Sequence, residues 1–411
     1  MTCTAVRQGR KAFGIFFLAW ASMALAPFPS GEPSLPGMPP VLNPKDIYSE
    51  TRAGLLNPAV KSFPSRVYVP NTVSNTVDVI DPATFRVIDH FRVGRQPQHV
   101  TPSYDLRSLW VLNDLGDSLT RIDPATGTKG ETVPVKDPYN MYYTPDGRFA
   151  IVVAERVKHL DFRDAGSMKL VDSVTVPCRG VDHMDFSANG RYLIASCEFS
   201  GMVVKVDVAK REVVGTLTLP VEHPAQASST SPAAKANSKS RFQGKRVHHG
   251  GGRMPVEVPS MPQDVKTSPD GAVFYVADMM ADGVRVIDGE RMQQLAFIPT
   301  GRGAHGLYNS RDSRVLYCSN RDEGTISVIS FDQRKVVAKW TIPDGGSPDM
   351  GGVSADGKVL WLSGRYHSEV YAIRTDDGHL LARIPVGKGP HGLCVYPQPG
   401  RYSLGHTGVF R

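Results

Sequence analysis

The stretch VYVPNTVSNTVDVIDPATFRVI, Val67–Ile88, decides the fold. It opens with a β-rich pentad, VYVPN, and continues through a short polar turn into the alternating strand VDVID (Val77–Asp81). The turn DPAT (Asp81–Thr84) then leads into RVIDHFRV (Arg86–Val93). Alternation of apolar and polar residues puts one side of each strand inward, and no helical period interrupts it.

The same unit recurs along the chain. Its pentads are VYVPN at Val67, LWVLN at Leu109, IVVAE at Ile151, LIASC at Leu193, FYVAD at Phe274, LYCSN at Leu316 and LWLSG at Leu360. With the preceding turns aligned, successive copies lie about 41–44 residues apart, a repeat length typical of propeller blades. One interval is longer, 81 residues from Leu193 to Phe274. Tight turns such as TPDG (Thr144–Gly147), SANG (Ser187–Gly190) and SPDG (Ser268–Gly271) precede the pentads. In them Pro presets φ and Gly accepts φ > 0. Four short strands per unit make one blade, so seven units predict an all-β, seven-bladed β-propeller of four-stranded antiparallel blades. Arg66-Val67-Tyr68 reads as a second strand, and GPHGLCVYP (Gly389–Pro397) as a first strand lacking its partner. The two ends are therefore expected to share a blade, which closes the ring and removes its edges.

On these residues the chain resembles the YVTN-repeat β-propeller family of exported bacterial proteins, across roughly residues 66–397. The resemblance implies the fold and a role as a binding or scaffold surface. Related seven-bladed rings include lactonases, the amine dehydrogenase large chain and the nitrous oxide reductase propeller, which holds copper through histidines. This chain has no paired-His motif in its blades, so that activity is not carried over.

Of the 411 residues, 41% are hydrophobic and 21% charged, which excludes global disorder. The formal charge of +7 suggests an acidic partner until it is located. Arg7, Arg10 and Lys11 supply +3 and residues 221–260 supply +4, leaving the rest neutral. The basic start followed by the apolar run Ala12–Ala26 reads as a signal peptide or N-terminal anchor over 1–26, hence an exported protein that touches a membrane only there. Residues 27–65 read as a Pro/Gly-rich tether, about 222–258 as a disordered basic insertion in the 66–400 ring, and 401–411 as a C-terminal tail outside the repeat.

In such a blade the start of the first strand and the end of the second share one rim, and the S-P-D-G turns lie on the other. The pairs opening the inner strands are Gln98-His99, Tyr139-Asn140, Asp182-His183, Gln263-Asp264, His305-Gly306, Asp349-Met350 and His391-Gly392. Four of these fourteen slots are His, although the chain has only 12 His. Loops after the second strands add Asn113, Asp114, Glu155, Arg156, Glu198, Asp278, Arg321, Asp322 and Arg365. The candidate ligand-binding set is thus His99, Asn140, Asp182, His183, Asp264, His305, Asp349, His391, Glu155, Glu198, Asp278, Arg321 and Arg365. His99, His183, His305 and His391 are the candidate ligands of a divalent metal, Zn or Cu. A histidine opening an inner strand also serves as a structural pin. The four histidines occupy two adjacent registers, so both readings stand.

Cys178 and Cys197 flank one hairpin near the same rim and are a disulfide candidate, in keeping with export. Cys318 and Cys394 fall within apolar strands and read as buried thiols. No G-x-S-x-G, H-E-x-x-H, C-x-x-C or C-x-x-C-H occurs. The neutral ring gives no nucleic-acid stripe. These observations favour a monomeric scaffold binding a small molecule or protein at the channel mouth. The alternative is a metal-dependent hydrolase, lactonase or lyase, or a redox-associated propeller, using the His/Asp rim.

Overall fold

The computed structural model describes residues 1–2, 33–220, 260–406 and 410–411. The stretch read as an export signal (beyond its first two residues), the start of the stretch read as a tether, the stretch read as a basic insertion and residues 407–409 of the tail lie outside the described residues. Among the described residues, 28 strands form seven four-stranded antiparallel sheets, a seven-bladed propeller. Blade 1 contains Arg66–Asn71, Thr76–Asp81 and Arg86–Arg92, with Cys394–Tyr396 as its inner strand. The inner strands of blades 2 to 7 are Pro97–Pro102, Asn140–Tyr143, Val181–Phe186, Pro262–Thr267, Ala304–Asn309 and Pro348–Val353. Ring closure is as expected, with Val67 opposite Val395 and Tyr68 opposite Cys394. The inner strands of blades 4 and 5 are neighbours, so the long repeat interval hides no further blade between them.

Strand alternation explains how the ring holds together. Successive side chains face opposite sides of a blade, and here both sides meet another blade. In Arg66–Asn71, Val67 and Val69 pack with Trp361 and Val370 of blade 7, whereas Tyr68 packs with Val100 and Val111 of blade 2. An apolar cluster of this kind fills each of the seven junctions. In the turn Ser268–Gly271 the Ser268 hydroxyl donates to Asp270 (2.6 Å) and Gly271 takes a φ of 67°.

Residues 33–65 differ from a free tether. They cross the face that carries the S-P-D-G turns, where Leu35 N–H donates to Asn189 O (2.8 Å) and Ile47 N–H to Pro269 O (2.8 Å). Tyr48 and Val60 are buried there, and the Tyr48 hydroxyl donates to Thr267 O (2.8 Å). Their Val, Ile and Tyr side chains gain more from covering the end of the ring than an extended segment would. Residues 401–406 and 410–411 are also placed: they enter the central channel from this face. Among the described residues no helix is long and apolar enough to cross a membrane.

Cys178 and Cys197 are joined, with Cα atoms 6.0 Å apart, while Cys318 and Cys394 are buried free thiols. Cross-linking two positions 19 residues apart restricts the unfolded chain. C178A/C197A is therefore expected to lower stability by about 2–3 kcal/mol. Equal denaturant midpoints for this variant and the wild type would contradict that.

Candidate functional site

Five of the seven rim pairs sit at an irregularity of their inner strands. The register shifts between Pro97 and Val100, Val181 and Met184, Pro262 and Val265, Ala304 and Leu307, and Pro348 and Gly351. A bulge inserts an unpaired residue and re-aims side chains. In this way His99, His183 and His305 reach the same channel, where the His391 ring, just ahead of the inner strand Cys394–Tyr396, meets that of His99. His99, His183, His305 and His391 are brought together, at most 2% exposed, and His406 of the tail joins them. Ring centroids lie 4.8 Å apart for His99 and His391, 5.5 Å for His99 and His183, and 4.7 Å for His183 and His406. One ligating atom each from His99, His183 and His406 lies within 4.8 Å of the other two.

The hydrogen-bond partners assign the tautomers. His99 Nδ1 donates to Tyr139 O (2.9 Å) and His391 Nδ1 donates to Asp349 Oδ2 (2.7 Å). Both Nε2 atoms are buried and have no hydrogen-bond partner among the described residues. Asn140 Oδ1 accepts from Met141 N–H (2.9 Å), which turns its NH2 towards His183 Nδ1 and His406 Nδ1, 3.0 Å from each. His183 Nε2 lies 3.1 Å from Asp182, out of hydrogen-bond alignment, and His406 Nε2 lies 3.7 Å from Asp264. Ligating atoms of His99, His183 and His406 thus gather at one interior beside the His391 ring, and the two Asn140 amide hydrogens meet two of the lone pairs. The outer ring nitrogens face carboxylates or a carbonyl, as those of metal-bound histidines do.

Burial sets the electrostatics. It pushes the His99 pKa down to about 4 and holds His183, His305, His391 and His406 well below the ordinary value, so all five are neutral near pH 7. Neutral imidazole is the ligating form. Beside them, burial raises the Asp182 carboxyl well above the usual range, with Glu198 and Glu155 adding to the effect. Glu155 and Glu198, half-buried at the mouth, are raised by burial in the same way. Asp114 is pushed up to about 7 by burial and by Asp137, against Arg156.

Asp349 is the ionic hub. It accepts from Arg321 Nε (2.9 Å) and Nη2 (2.6 Å) and from His391, and it lies 3.1 Å from His305 and 3.6 Å from Arg365. His305 also contacts Arg321 Nη2 through Nε2, so both of its nitrogens are engaged and it stands as a pin rather than a donor to the nest. Asp264 is tied to the buried Lys266 (3.1 Å) and accepts from Leu307 N–H (2.9 Å). Asp278 is committed to Arg285 (2.7 Å), Ser260 and Met261 N–H. Its hydrogen bonds hold its own blade, and the structure does not bring it to the nest.

The residue that repeat alignment missed is His406. Its signal was a histidine flanked by Gly405 and Gly408 just after the closing strand, in a segment with no repeat register to align. Gly392 is a second unread feature: a Cβ there would lie 2.0 Å from His99 Cδ2, so a bare backbone is what admits the His99 ring.

A family model described as YNCE-like beta-propeller matches residues 49–167 and 253–400. Among curated proteins none matches the chain. Hydrazine synthase of Kuenenia stuttgartiensis is similar in structure, with a TM-score of 0.59 at 19% identity, covering 76% of this chain and 92% of that one. A functionally unknown protein from Desulfotomaculum acetoxidans gives a TM-score of 0.62 at 13% identity, covering 80% and 98%. Dihydro-heme d1 dehydrogenase NirN in complex with DHE gives 0.56 at 15% identity, covering 87% and 82%. At these identities the likeness is one of fold.

Proposed function

The chain belongs to the YNCE-like beta-propeller family, and we propose that it is a binding scaffold whose channel holds a transition-metal ion of the Zn or Cu class. The observation that carries this is the gathering of buried ligating atoms of His99, His183 and His406 within 4.8 Å of one another, with Nε2 of His99 and of the adjacent His391 having no hydrogen-bond partner among the described residues. Imidazole donors suit zinc and copper. Tetrahedral zinc, with Zn–N near 2 Å, holds its donors about 3.3 Å from one another. Binding therefore draws the imidazoles inward by about 1 Å from their present spacing and displaces the Asn140 amide. Above the nest, Glu155, Glu198, Arg321 and Arg365 form the mouth, where a small polar molecule or a protein partner docks.

The raised carboxyl pKa values at the mouth favour a second reading, in which the ion would polarise a bound ester or lactone for attack by water and Glu155 or Glu198 would protonate the leaving oxygen. A haem-type ligand, as the name of one structural neighbour suggests, fits less well. The five imidazoles are packed too closely against one another to admit a flat macrocycle. The Cys178–Cys197 disulfide supports export, and we extend the proposal to an exported monomer.

Metal analysis of protein purified without a His-tag tests the proposal. About one ion per chain is expected. H99A/H183A should lose it, with affinity falling at least about 100-fold, since two donors and their ordered shell go together. If wild-type protein neither retains metal nor takes up Zn²⁺ or Cu²⁺, water fills the nest and the proposal fails.

A further inference from the structure

We propose that residues 401–406 form a ligand-bearing arm of this site: they deliver His406 to the ion and are locked there through Phe410 and Arg411. This inference rests on the metal reading above and adds to it a ligand outside the repeats and a positioning residue.

The arm is built into the channel as an added strand. Ser403 N–H donates to Tyr104 O (3.1 Å), Tyr143 N–H to Leu404 O (2.9 Å) and His406 N–H to Met141 O (2.9 Å). The first ties it to a turn of blade 2, and the other two run it antiparallel along the inner edge of blade 3, with Gly405 opposite Tyr142, an edge that an inner strand otherwise leaves open. Gly405 makes the approach feasible. Its φ is 86°, and a Cβ there would lie 2.5 Å from Met141 O. The next residue is His406, whose ring stacks on Tyr142 at 5.5 Å and whose Nδ1 meets Asn140.

The far limb of the arm holds this placement. Ser403 and Phe410 bridge antiparallel, and Arg401 N–H donates to Arg411 O (2.7 Å). The Arg411 guanidinium is 5% exposed, 3.1 Å from Asp185 Oδ1 and 4.6 Å over the Tyr48 ring. Asp185 is itself fixed by Thr267 N–H (2.8 Å). A guanidinium buried at the floor of a channel is costly unless it is paired, so this pair has one favourable arrangement, and it seats the arm. Docking of the arm and binding of the ion are then linked equilibria, each strengthening the other by the same factor.

Titration of the full chain with Co²⁺, followed by visible absorption and by Zn²⁺ competition, tests the arm. Wild-type protein is expected to bind one Co²⁺. H406Q should weaken binding about 100-fold and alter the ligand-field bands, because a donor is lost. R411A should weaken binding about 10-fold while leaving the bands of the saturated form unchanged, as loss of an outer support does. R411K should restore much of that loss. Hydrogen exchange at Leu404–His406 should slow when Co²⁺ binds. Wild-type affinity and spectrum in H406Q would overturn the arm while leaving the metal reading intact. Wild-type affinity in R411A would overturn the lock. Failure of the wild-type protein to bind Co²⁺ or Zn²⁺ would overturn both readings. Should R411A fail to fold, H406Q decides alone, since it leaves the Arg411–Asp185 pair in place.

Discussion

Asp349→Ala is expected to destabilise the ring by about 3–5 kcal/mol, the range for removing one partner of a buried ionic cluster. Asp349 is fully buried, and the Arg321 and Arg365 side chains are each only 9% exposed. Removing the carboxylate leaves two guanidinium groups in the channel with no other anion within ion-pair reach among the described residues, and frees His391 Nδ1 from its acceptor. Asp349→Asn keeps an acceptor for His391 and should lie between wild type and Ala. Replacing Arg321 with Met in the Ala background should recover part of the loss, because the unpaired charge goes with it. Burial alone would raise the Asp349 carboxyl, but Arg321, together with His305 and Arg365, outweighs it and holds the pKa below the ordinary value. A group whose pKa is depressed by folding contributes stability above its unfolded pKa and loses it as pH falls through the folded one. Wild type and D349A should therefore differ most above about pH 4, the unfolded carboxylate value, and converge in stronger acid. Urea midpoints measured across pH check both points, and a difference under about 1 kcal/mol at neutral pH would show that the hub is not structural.

The second large effect falls on a glycine. A Cβ at Gly351 would sit 1.7 Å from the carbonyl oxygen of Trp361, and backbone in a paired strand cannot swing aside. Gly351→Ala should cost more than about 3 kcal/mol, above the usual range for overpacking, because blade 7 must part from its own second strand. Gly352 supplies the control. A Cβ there meets only Val395 at 3.6 Å, an ordinary contact, so Gly352→Ala should stay within about 1 kcal/mol of wild type. Thermal or denaturant unfolding of the two variants separates them. Equal midpoints would mean that the strand pair yields.

Much of the site could be read before the fold was known, because rim position follows from repeat register. Placing His99, His183, His305 and His391 on one face needed only the turns that precede each pentad. Their separate roles did not follow. His305 is spent on Arg321 and Asp349, whereas His99 and His391 keep a lone pair, and only the partners supplied by neighbouring blades make that difference. Asp278 shows the converse. Its register is that of a rim residue, yet Arg285, seven residues away on the adjacent strand, claims its carboxylate.

The repeat itself determined the ring: seven copies of one four-stranded unit, a shared closing blade, and which side chains line the rim. These are local properties, since each strand's alternation and each turn's Gly or Asp act within a few residues. The tertiary structure decided that residues 33–65 cover one face, that 401–406 enter the channel from it, and that His406 joins the nest. These contacts join residues far apart in the chain, with no period to announce them. They form because a closed ring still has an end to cover and the channel-facing edges of its inner strands to satisfy.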